Sequence, residues 1–255
     1  TKDEVQFVPN SFDVVGDIAI FNDFPKELRK KEKKIAEKVI ETHKNIHVVA
    51  KKAKKYSGRL RTPKITIIAG EKRKETIHIE SGCRLSLNVE TCYFSTRSGS
   101  ERLRIAKKVK KNESVLVMFS GVAPFPCVIA KMSNPKEVYA VELSKKAHKF
   151  AGENIKLNKL ENVHLFQGDV NKILPKIKKK FDRMIMPLPK TAEKFLDLAK
   201  TKLSPKGTIH MYTFAKEDNF KEIKKEYQKQ FKHVKLNKAG HYAPGIFRIC
   251  LDLRN

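Results

Sequence analysis

The sequence has few cysteines, no long apolar run and about half as many acidic as basic residues. Its cysteines, Cys83, Cys92, Cys127 and Cys250, lie far apart without a CxxC pair, which disfavours both a zinc site and a disulfide framework. No segment approaches the ~20 apolar residues of a membrane helix, and no signal-peptide core follows the charged N-terminus. We therefore expect a cytoplasmic protein with reduced thiols, no bound metal and no membrane partner.

The charge balance is strongly basic. Lys and Arg number 55 against 28 Asp and Glu, which gives a formal net charge of +27 over 255 residues. Heat-adapted proteins also carry many surface lysines, but those are matched by glutamates, and here the excess is twofold. Because basic side chains release counterions when they bind phosphates, the surplus predicts a nucleic-acid partner. The 40% of hydrophobic residues allows a packed core.

The N-terminal part has the pattern of a small α+β domain. A strand is predicted over Asp13–Phe21 with a turn at Gly16–Asp17, and Pro25 is expected to open an amphipathic helix. Strand-like runs follow at 64–69, 75–79 and 84–88. Residues 26–55 hold 12 Lys/Arg and 4 Asp/Glu, which suits either a solvated face or an RNA-facing surface equally.

After about Ser114 apolar strands alternate with helices, which predicts a parallel, doubly wound α/β sheet. Helices are expected from Pro124 and over 144–158. Strands are expected at 114–118, 137–141, 163–166, 184–186, 208–212 and 246–251. Ligands of such sheets bind at the carboxyl ends of the strands, so the loops after the strands are the candidate site.

The first of these loops contains one glycine, Gly121, where a dinucleotide-binding motif has three, which disfavours nicotinamide and flavin. By itself it could equally be an ordinary strand–helix turn. Glu142 ends the second strand, where it could accept from both ribose hydroxyls, and Asp169 follows the third, where it could accept from an adenine amino group. Either acid alone is more often a surface acid or a cap. Together they predict an adenosine-containing cofactor, S-adenosylmethionine. The predicted cofactor-binding residues are Phe119, Ser120, Gly121, Val122, Glu142, Leu143, Asp169, Val170 and Pro187.

Several motifs in the same order resemble one known family. They are YFSTRSGSER at 93–102, MFSGV at 118–122, ENIKLN at 153–158, MPLPK at 186–190 and YAPG at 242–245. The family is that of the archaeal and eukaryotic tRNA (guanine-N1)-methyltransferases that act at guanosine 37, beside the anticodon, and the resemblance begins near Asp13. It implies a Rossmann-like class I methyltransferase domain at 111–255 and a tRNA-binding, catalytic-support domain at 1–110. A further N-terminal domain of the family is expected to be absent or very short, and the protein is expected to be a monomer that binds the anticodon loop.

The resemblance also implies catalytic roles for Glu101 and Arg61. Guanine N1 is a poor nucleophile until its proton leaves, so a carboxylate can act as general base, and an arginine can stabilise the charge that develops on O6. Without the resemblance, Glu101 is better explained as a helix cap or an ion pair with Arg104 or Arg97, and Arg61 as a phosphate contact or surface charge. The predicted substrate-binding residues are Arg97, Pro187, Leu188 and Pro189.

Three positions depart from the family pattern. Val117 replaces an aspartate, Ala123 replaces a second glycine, and Pro187 replaces the asparagine that helps hold the target guanine. The Pro-Leu-Pro motif resembles a wyosine-pathway branch that is implied to methylate N1 of guanosine 37 and C7 of 4-demethylwyosine. Two alternatives stay open: an aminocarboxypropyl transferase of the same pathway, and a non-catalytic RNA-binding protein with a decayed cofactor site.

Overall fold

The computed structural model describes residues 12–22, 24, 26–57, 62–188 and 190–255. Its contacts divide the chain into two compact units, of which the second comprises 81–83 and 97–255 and the first the remaining described residues. The division at residue 97 precedes the predicted boundary at 110 because the helix Gly99–Ala106 packs on the helix Pro124–Met132 in the second unit. No helix in the described ranges is long and apolar enough to cross a membrane.

The first unit contains a four-stranded sheet, in the order β1-β2-β3-β4, and a two-stranded sheet of β5 and β6, counted over its described residues. The strands are β1 Asp13–Val15, β2 Ile18–Phe21, β3 Val48–Ser57, β4 Thr62–Gly70, β5 Glu75–Glu80 and β6 Cys83–Asn88. Helix α1, Glu32–Thr42, connects the parallel strands β2 and β3. Phe21, Phe24, Leu28 and Ala36 pack in the core of this unit.

Three features of this unit differ from the sequence expectations. Pro25 lies outside the described residues, and a 3₁₀ turn at Lys26–Lys31 precedes α1 instead of a continuous helix. The expected strand at Asp13–Phe21 is two strands, which reverse at the predicted Gly16–Asp17 turn. Strand β3 was not predicted, because its lysine-rich sequence VVAKKAKKYS lacks apolar alternation.

The second unit is built on a seven-stranded sheet, counted over the described residues, in the order β12-β13-β11-β10-β7-β8-β9. Its strands are β7 Ser114–Met118, β8 Glu137–Glu142, β9 Val163–Gln167, β10 Phe181–Met186, β11 Leu203–Lys216, β12 His233–Ala243 and β13 Ile246–Arg254. Its helices are α2 Gly99–Ala106, α3 Pro124–Met132, α4 Lys145–Leu157, α5 Val170–Ile173, α6 Leu196–Lys202 and α7 Phe220–Gln228. This arrangement confirms the predicted Rossmann-like fold.

Strand order in this sheet locates the candidate site. Strands β7 to β11 are parallel, and the chain moves outward from β7 to β9 before it returns to β10 on the other side of β7. Such a switch point creates a crevice at the carboxyl ends of β7 and β10. The sequence predicted a parallel sheet. This prediction is wrong at one edge, where β13 runs antiparallel to β11 and β12. A hairpin connects β12 and β13, and hairpins produce antiparallel pairs.

A half-buried turn at Gly16 and Asp17 joins the two sheets of the first unit. Gly16 has a φ of 58°, and a methyl group on it would overlap Thr76 Oγ1 and the Ile77 carbonyl oxygen. Its neighbour Asp17 accepts hydrogen bonds from Thr76 Oγ1 at 2.6 Å and from Arg73 Nη1 at 3.0 Å. The Arg73 hydrogen bond is the main cause that lowers the pKa of Asp17 to about 2.

Asp17→Asn is expected to destabilise the first unit by about 1–2 kcal/mol at neutral pH, because Arg73 loses one of its two charged partners and keeps only Glu71. Since the folded pKa is depressed, this stabilisation is present above the ordinary carboxyl pKa and is lost as the pH falls toward 2. Native-state hydrogen exchange on β2–β4 measures the difference at each pH. Glu75→Gln, at an exposed acid of the same unit, should change little. An undiminished Asp17→Asn effect at about pH 2.5 contradicts the assignment.

Candidate active site

The loop between β7 and α3 has an unusual backbone. Phe119, Gly121 and Ala123 have φ values of 57°, 58° and 63°, in the left-handed region that only glycine adopts without cost. The Ser120 amide donates to the Val141 carbonyl at 3.0 Å, which holds the loop against the end of β8. Strained backbone of this kind is concentrated at functional sites, because surrounding contacts must maintain it.

Glu142, the last residue of β8, joins three loops at the carboxyl edge of the sheet. Its carboxylate accepts from the Gly121 amide and from the Ser144 amide, both at 2.7 Å, and its carbonyl accepts from the Gly168 amide at 2.8 Å. Burial raises the pKa of this carboxyl, and the backbone hydrogen bonds oppose the rise. Each carboxylate oxygen can still accept a second hydrogen bond.

Other predicted cofactor residues lie in the loops that follow β7, β8 and β9. Asp169 caps α5 by accepting from the Asn171 amide at 2.9 Å, and Val170 is buried. Leu143 is half-buried, Val122 is fully buried, and Phe119 contacts the ring of Phe195. The structure therefore brings the predicted loops after β7, β8 and β9 together.

Ser120 is the one residue of the loop with an unsatisfied polar group. Its Oγ atom is buried and has no hydrogen-bond partner within the part of the chain that the structure describes. Leaving a buried hydroxyl unpaired costs about 1–3 kcal/mol, so a bound polar ligand is the simplest source of the missing partner.

The candidate base Glu101 lies on α2 and is 5% exposed. Its Oε1 accepts from Tyr212 Oη at 2.7 Å and from Arg104 Nη2 at 2.6 Å, and its Oε2 accepts from Arg104 Nε at 2.7 Å. The ion pair with Arg104 is thus present. The ring of Tyr212 lies 6.0 Å from the ring of Phe125 in the first turn of α3, which places Glu101 close to the end of the β7 loop.

Tyr212 was not predicted as a site residue, because nothing in its strand sequence TIHMYTF distinguishes it from a core residue. Its position at the end of the predicted strand 208–212 is the sequence signal that could have indicated it. Of the other predicted residues, Pro187 and Leu188 follow β10, and Arg97 is exposed just before α2. Arg61 and Pro189 lie outside the described residues.

Comparison with known proteins identifies the family. A model of the TRM5/TYW2 methyltransferase domain matches residues 76–239, and a model of the TYW2 N-terminal domain matches residues 1–73. The chain is 38% identical over 257 residues to the tRNA (guanine(37)-N(1))-methyltransferase Trm5b of Pyrococcus abyssi, covering 98% of this chain and 76% of that protein. The chain belongs to the TRM5/TYW2 methyltransferase family.

Other family members differ in the reaction that their names record. The tRNA (guanine(37)-N(1))/4-demethylwyosine(37)-methyltransferase Taw22 of Nanoarchaeum equitans is 29% identical over 95% of this chain and 99% of that protein. A tRNA(Phe) (4-demethylwyosine(37)-C(7)) aminocarboxypropyltransferase of Methanocaldococcus jannaschii is 35% identical over 78% of this chain and 82% of that protein.

Solved structures of the family support the fold and the cofactor. The complex of aTrm5 with tRNALeu matches with a TM-score of 0.85 at 33% identity, covering 100% of this chain and 74% of that one. The TYW2 of M. jannaschii in complex with AdoMet matches with a TM-score of 0.71 at 28% identity, covering 96% and 98%. The TRM5/TYW2 enzymes use S-adenosylmethionine, and the loops around Glu142 fit a polar ligand of this kind: two carboxylates and an unpaired buried hydroxyl lie at the ends of three adjacent strands.

A buried polar network extends from Glu101 across the sheet. Arg104 also contacts Asp252 at 3.4 Å, Asp252 contacts His210 Nδ1 at 2.6 Å, and His210 Nε2 contacts Arg183 at 2.7 Å. Because arginine only donates, His210 Nε2 must be unprotonated, which agrees with the burial that lowers the pKa of His210. His210, Cys250 and Asp252 place their ligand atoms within 4.8 Å, but the adjacent guanidinium groups disfavour a cation there.

Glu142→Gln is expected to weaken S-adenosylmethionine binding by about 10- to 100-fold, because an amide cannot accept from both loop amides and also from a ribose. Isothermal titration calorimetry measures the affinity. Glu137→Gln is the matched control, since Glu137 begins the same strand and bonds Ser114 and Lys179 at the opposite edge. Equal affinity of wild type and Glu142→Gln contradicts the role of Glu142.

Proposed function

We propose that this chain methylates N1 of guanosine 37 in tRNA with S-adenosylmethionine as methyl donor. The observation that carries the proposal is the buried Glu101 carboxylate, which Arg104 and Tyr212 hold beside the cofactor loop of a TRM5/TYW2 methyltransferase domain. A relative with this N1 activity in its name matches nearly the whole chain. The basic surplus of the sequence supports a polyanionic substrate.

The cofactor would be held by the loops at the carboxyl edge. Glu142 would accept from the ribose hydroxyls, Asp169 from the adenine amino group, and the Ser120 hydroxyl would gain the partner that it lacks. When bound, S-adenosylmethionine supplies an electrophilic methyl group. Phe119, Gly121, Val122, Leu143, Val170 and Pro187 line these loops, and their role as contacts stays a prediction.

Glu101 has the properties of a base positioned for one proton. Its Oε2 accepts one hydrogen bond among the described contacts and keeps capacity for the proton on guanine N1. Arg104 contacts both Glu101 and Asp252, so its charge stays paired when Glu101 becomes neutral. Arg61 remains the proposed group that stabilises the charge developing on guanine O6. The backbone carbonyl of Pro187 could accept a hydrogen bond from the guanine, in place of the asparagine side chain that the family has at this position.

A target base inside the anticodon loop must leave its stack to reach a carboxylate buried as deeply as Glu101. Arg97, Leu188 and Pro189 are the proposed contacts of that base and its neighbours. The monomeric state and the cytoplasmic location stay predictions. Methylation of C7 of 4-demethylwyosine, as in the name of Taw22, is proposed as a second activity on the basis of the Pro-Leu-Pro motif at 187–189.

Aminocarboxypropyl transfer is the competing function, favoured by the match of residues 1–73 to the TYW2 N-terminal domain. The two reactions use different carbons of the same sulfonium. Incubating tRNA with S-adenosylmethionine labelled separately in the methyl and aminocarboxypropyl groups, followed by nucleoside mass spectrometry, identifies the group transferred. Methyl label on guanosine 37 supports the proposal, and aminocarboxypropyl label on the wyosine base overturns it.

Glu101→Gln is expected to slow N1 methylation by about 10²–10⁴-fold at neutral pH, because the base is removed. Single-turnover assays measure the rate, which should recover partly as the pH approaches the ionisation of guanine N1. Transfer to C7, a carbon nucleophile, need not be impaired equally.

The matched control for this variant is Glu137→Gln. Glu137 also forms an ion pair with a basic side chain, Lys179, but begins β8 at the amino edge, outside the network of Glu101. It should affect stability and leave the rate of methyl transfer unchanged. If Glu101→Gln methylates guanosine 37 at the wild-type rate, Glu101 is not the general base and its role is limited to the structural ion pair with Arg104.

Affinity for tRNA is expected to fall steeply with salt, because the net charge of +27 acts mainly on phosphates. Fluorescence anisotropy with labelled tRNA across a potassium chloride series measures the slope of log affinity against log salt. The control is binding of S-adenosylhomocysteine, a zwitterion of zero net charge, whose affinity should be nearly insensitive to salt. A flat series for tRNA shows that the basic surface does not bind it.

A further inference from the structure

The hairpin between β12 and β13 presents a large aromatic ring to solvent. Tyr242 is 51% exposed and lies two residues before the Pro244–Gly245 turn, where Gly245 has a φ of 70°. The pairing of β12 with β13 shifts register on both sides of His241. Such bulges redirect side chains and are frequent next to active sites, so the local backbone holds Tyr242 in a defined, outward position.

One face of this ring is already covered. Tyr242 stacks on Phe214 of β11, with ring centroids 4.0 Å apart and an interplanar angle of 29°. This contact crosses β13, which lies between the two strands. The tyrosine is therefore backed by a second ring and is preorganised as a flat surface, while half of its side chain faces water.

The stacked pair lies on the same face of the sheet as the candidate base. Residues two apart along a strand point to the same side, so Phe214 shares a face with Tyr212, whose hydroxyl binds Glu101. Arg248, the register partner of Phe214, donates to Ser98 Oγ at 2.6 Å, just before α2. Met211 pairs with Met186, the last residue of β10, so both aromatic residues of β11 lie at the carboxyl edge.

A cationic side chain lies on the same face of the sheet as the ring. Arg248 is the register partner of Phe214, on which Tyr242 stacks, so its side chain lies on the face that carries the stacked pair. A basic surface interrupted by exposed aromatic rings is the arrangement that binds single-stranded nucleic acid, because every base offers a stacking face and every nucleotide a phosphate.

We propose that Tyr242 is a stacking platform for an unpaired base of the anticodon loop that lies next to the target nucleotide. The proposal rests on the proposed function of the neighbouring site and adds a binding residue to it. The occupant is RNA and not protein because Arg248 shares the face of the ring and the chain carries a net charge of +27.

The test is binding of an anticodon stem-loop in the absence of cofactor, with 2-aminopurine placed at position 36 or 38. Tyr242→Ala is expected to weaken binding about 5- to 100-fold and to remove the fluorescence quenching at one of these positions. Tyr242→Phe should retain both, since the ring is kept. A fully paired duplex of equal charge should bind wild type and Tyr242→Ala alike.

Met132→Ala is the matched control, because Met132 is also a large exposed apolar side chain but ends α3 at the opposite edge of the sheet. Unchanged quenching and affinity in Tyr242→Ala overturn the proposal. It is also overturned if Tyr242→Ala changes only the sedimentation of the protein, which would make the ring a protein contact. If the wild-type protein quenches the 2-aminopurine but transfers no methyl group, only the proposed function is overturned. If it methylates guanosine 37 without quenching the 2-aminopurine, only the stacking role of Tyr242 is overturned.

Discussion

The carboxylate of Glu142 is the interaction on which the candidate site depends. It accepts from the amides of Gly121 and Ser144, so one side chain fixes the loops that leave β7 and β8. Its carbonyl holds Gly168 after β9. The three loops that would surround the cofactor are thereby set before any ligand arrives, and the cost of ordering them on binding is reduced.

The loop that Glu142 holds is strained, and its neighbours maintain it. Ala123 occupies a left-handed position that costs an L-residue about 1–2 kcal/mol, and the family's glycine at this position would avoid that cost. The buried amide of Asn154 donates to the Val122 carbonyl at 2.8 Å, and α3 inserts Phe125, Cys127 and Ile129 into the core. The packing of α3 therefore helps to hold Ala123 in the left-handed conformation that a glycine would adopt without strain.

Periodicity was sufficient for the parallel core, where β7 spans the predicted residues and α3 begins at the predicted Pro124. The acids at the strand ends located Glu142 and Asp169. Periodicity did not predict β3, because its lysines interrupt the apolar alternation of a strand. It also did not predict β12 at the antiparallel edge, whose sequence mixes polar and apolar residues without a clear period. The partners of Glu101 could not be predicted, because Tyr212 lies 111 residues away and meets it only through the sheet. The general-base role came from family resemblance and not from spacing.

The most direct test of the central claim is amide hydrogen exchange at Gly121 and Ser144 in the cofactor-free protein. If Glu142 organises the loops in advance, both amides are protected without S-adenosylmethionine, and Glu142→Gln exposes at least one of them. Full exchange of both amides in the free wild-type protein, with protection only after cofactor is added, would show that the cofactor, and not Glu142, orders the site.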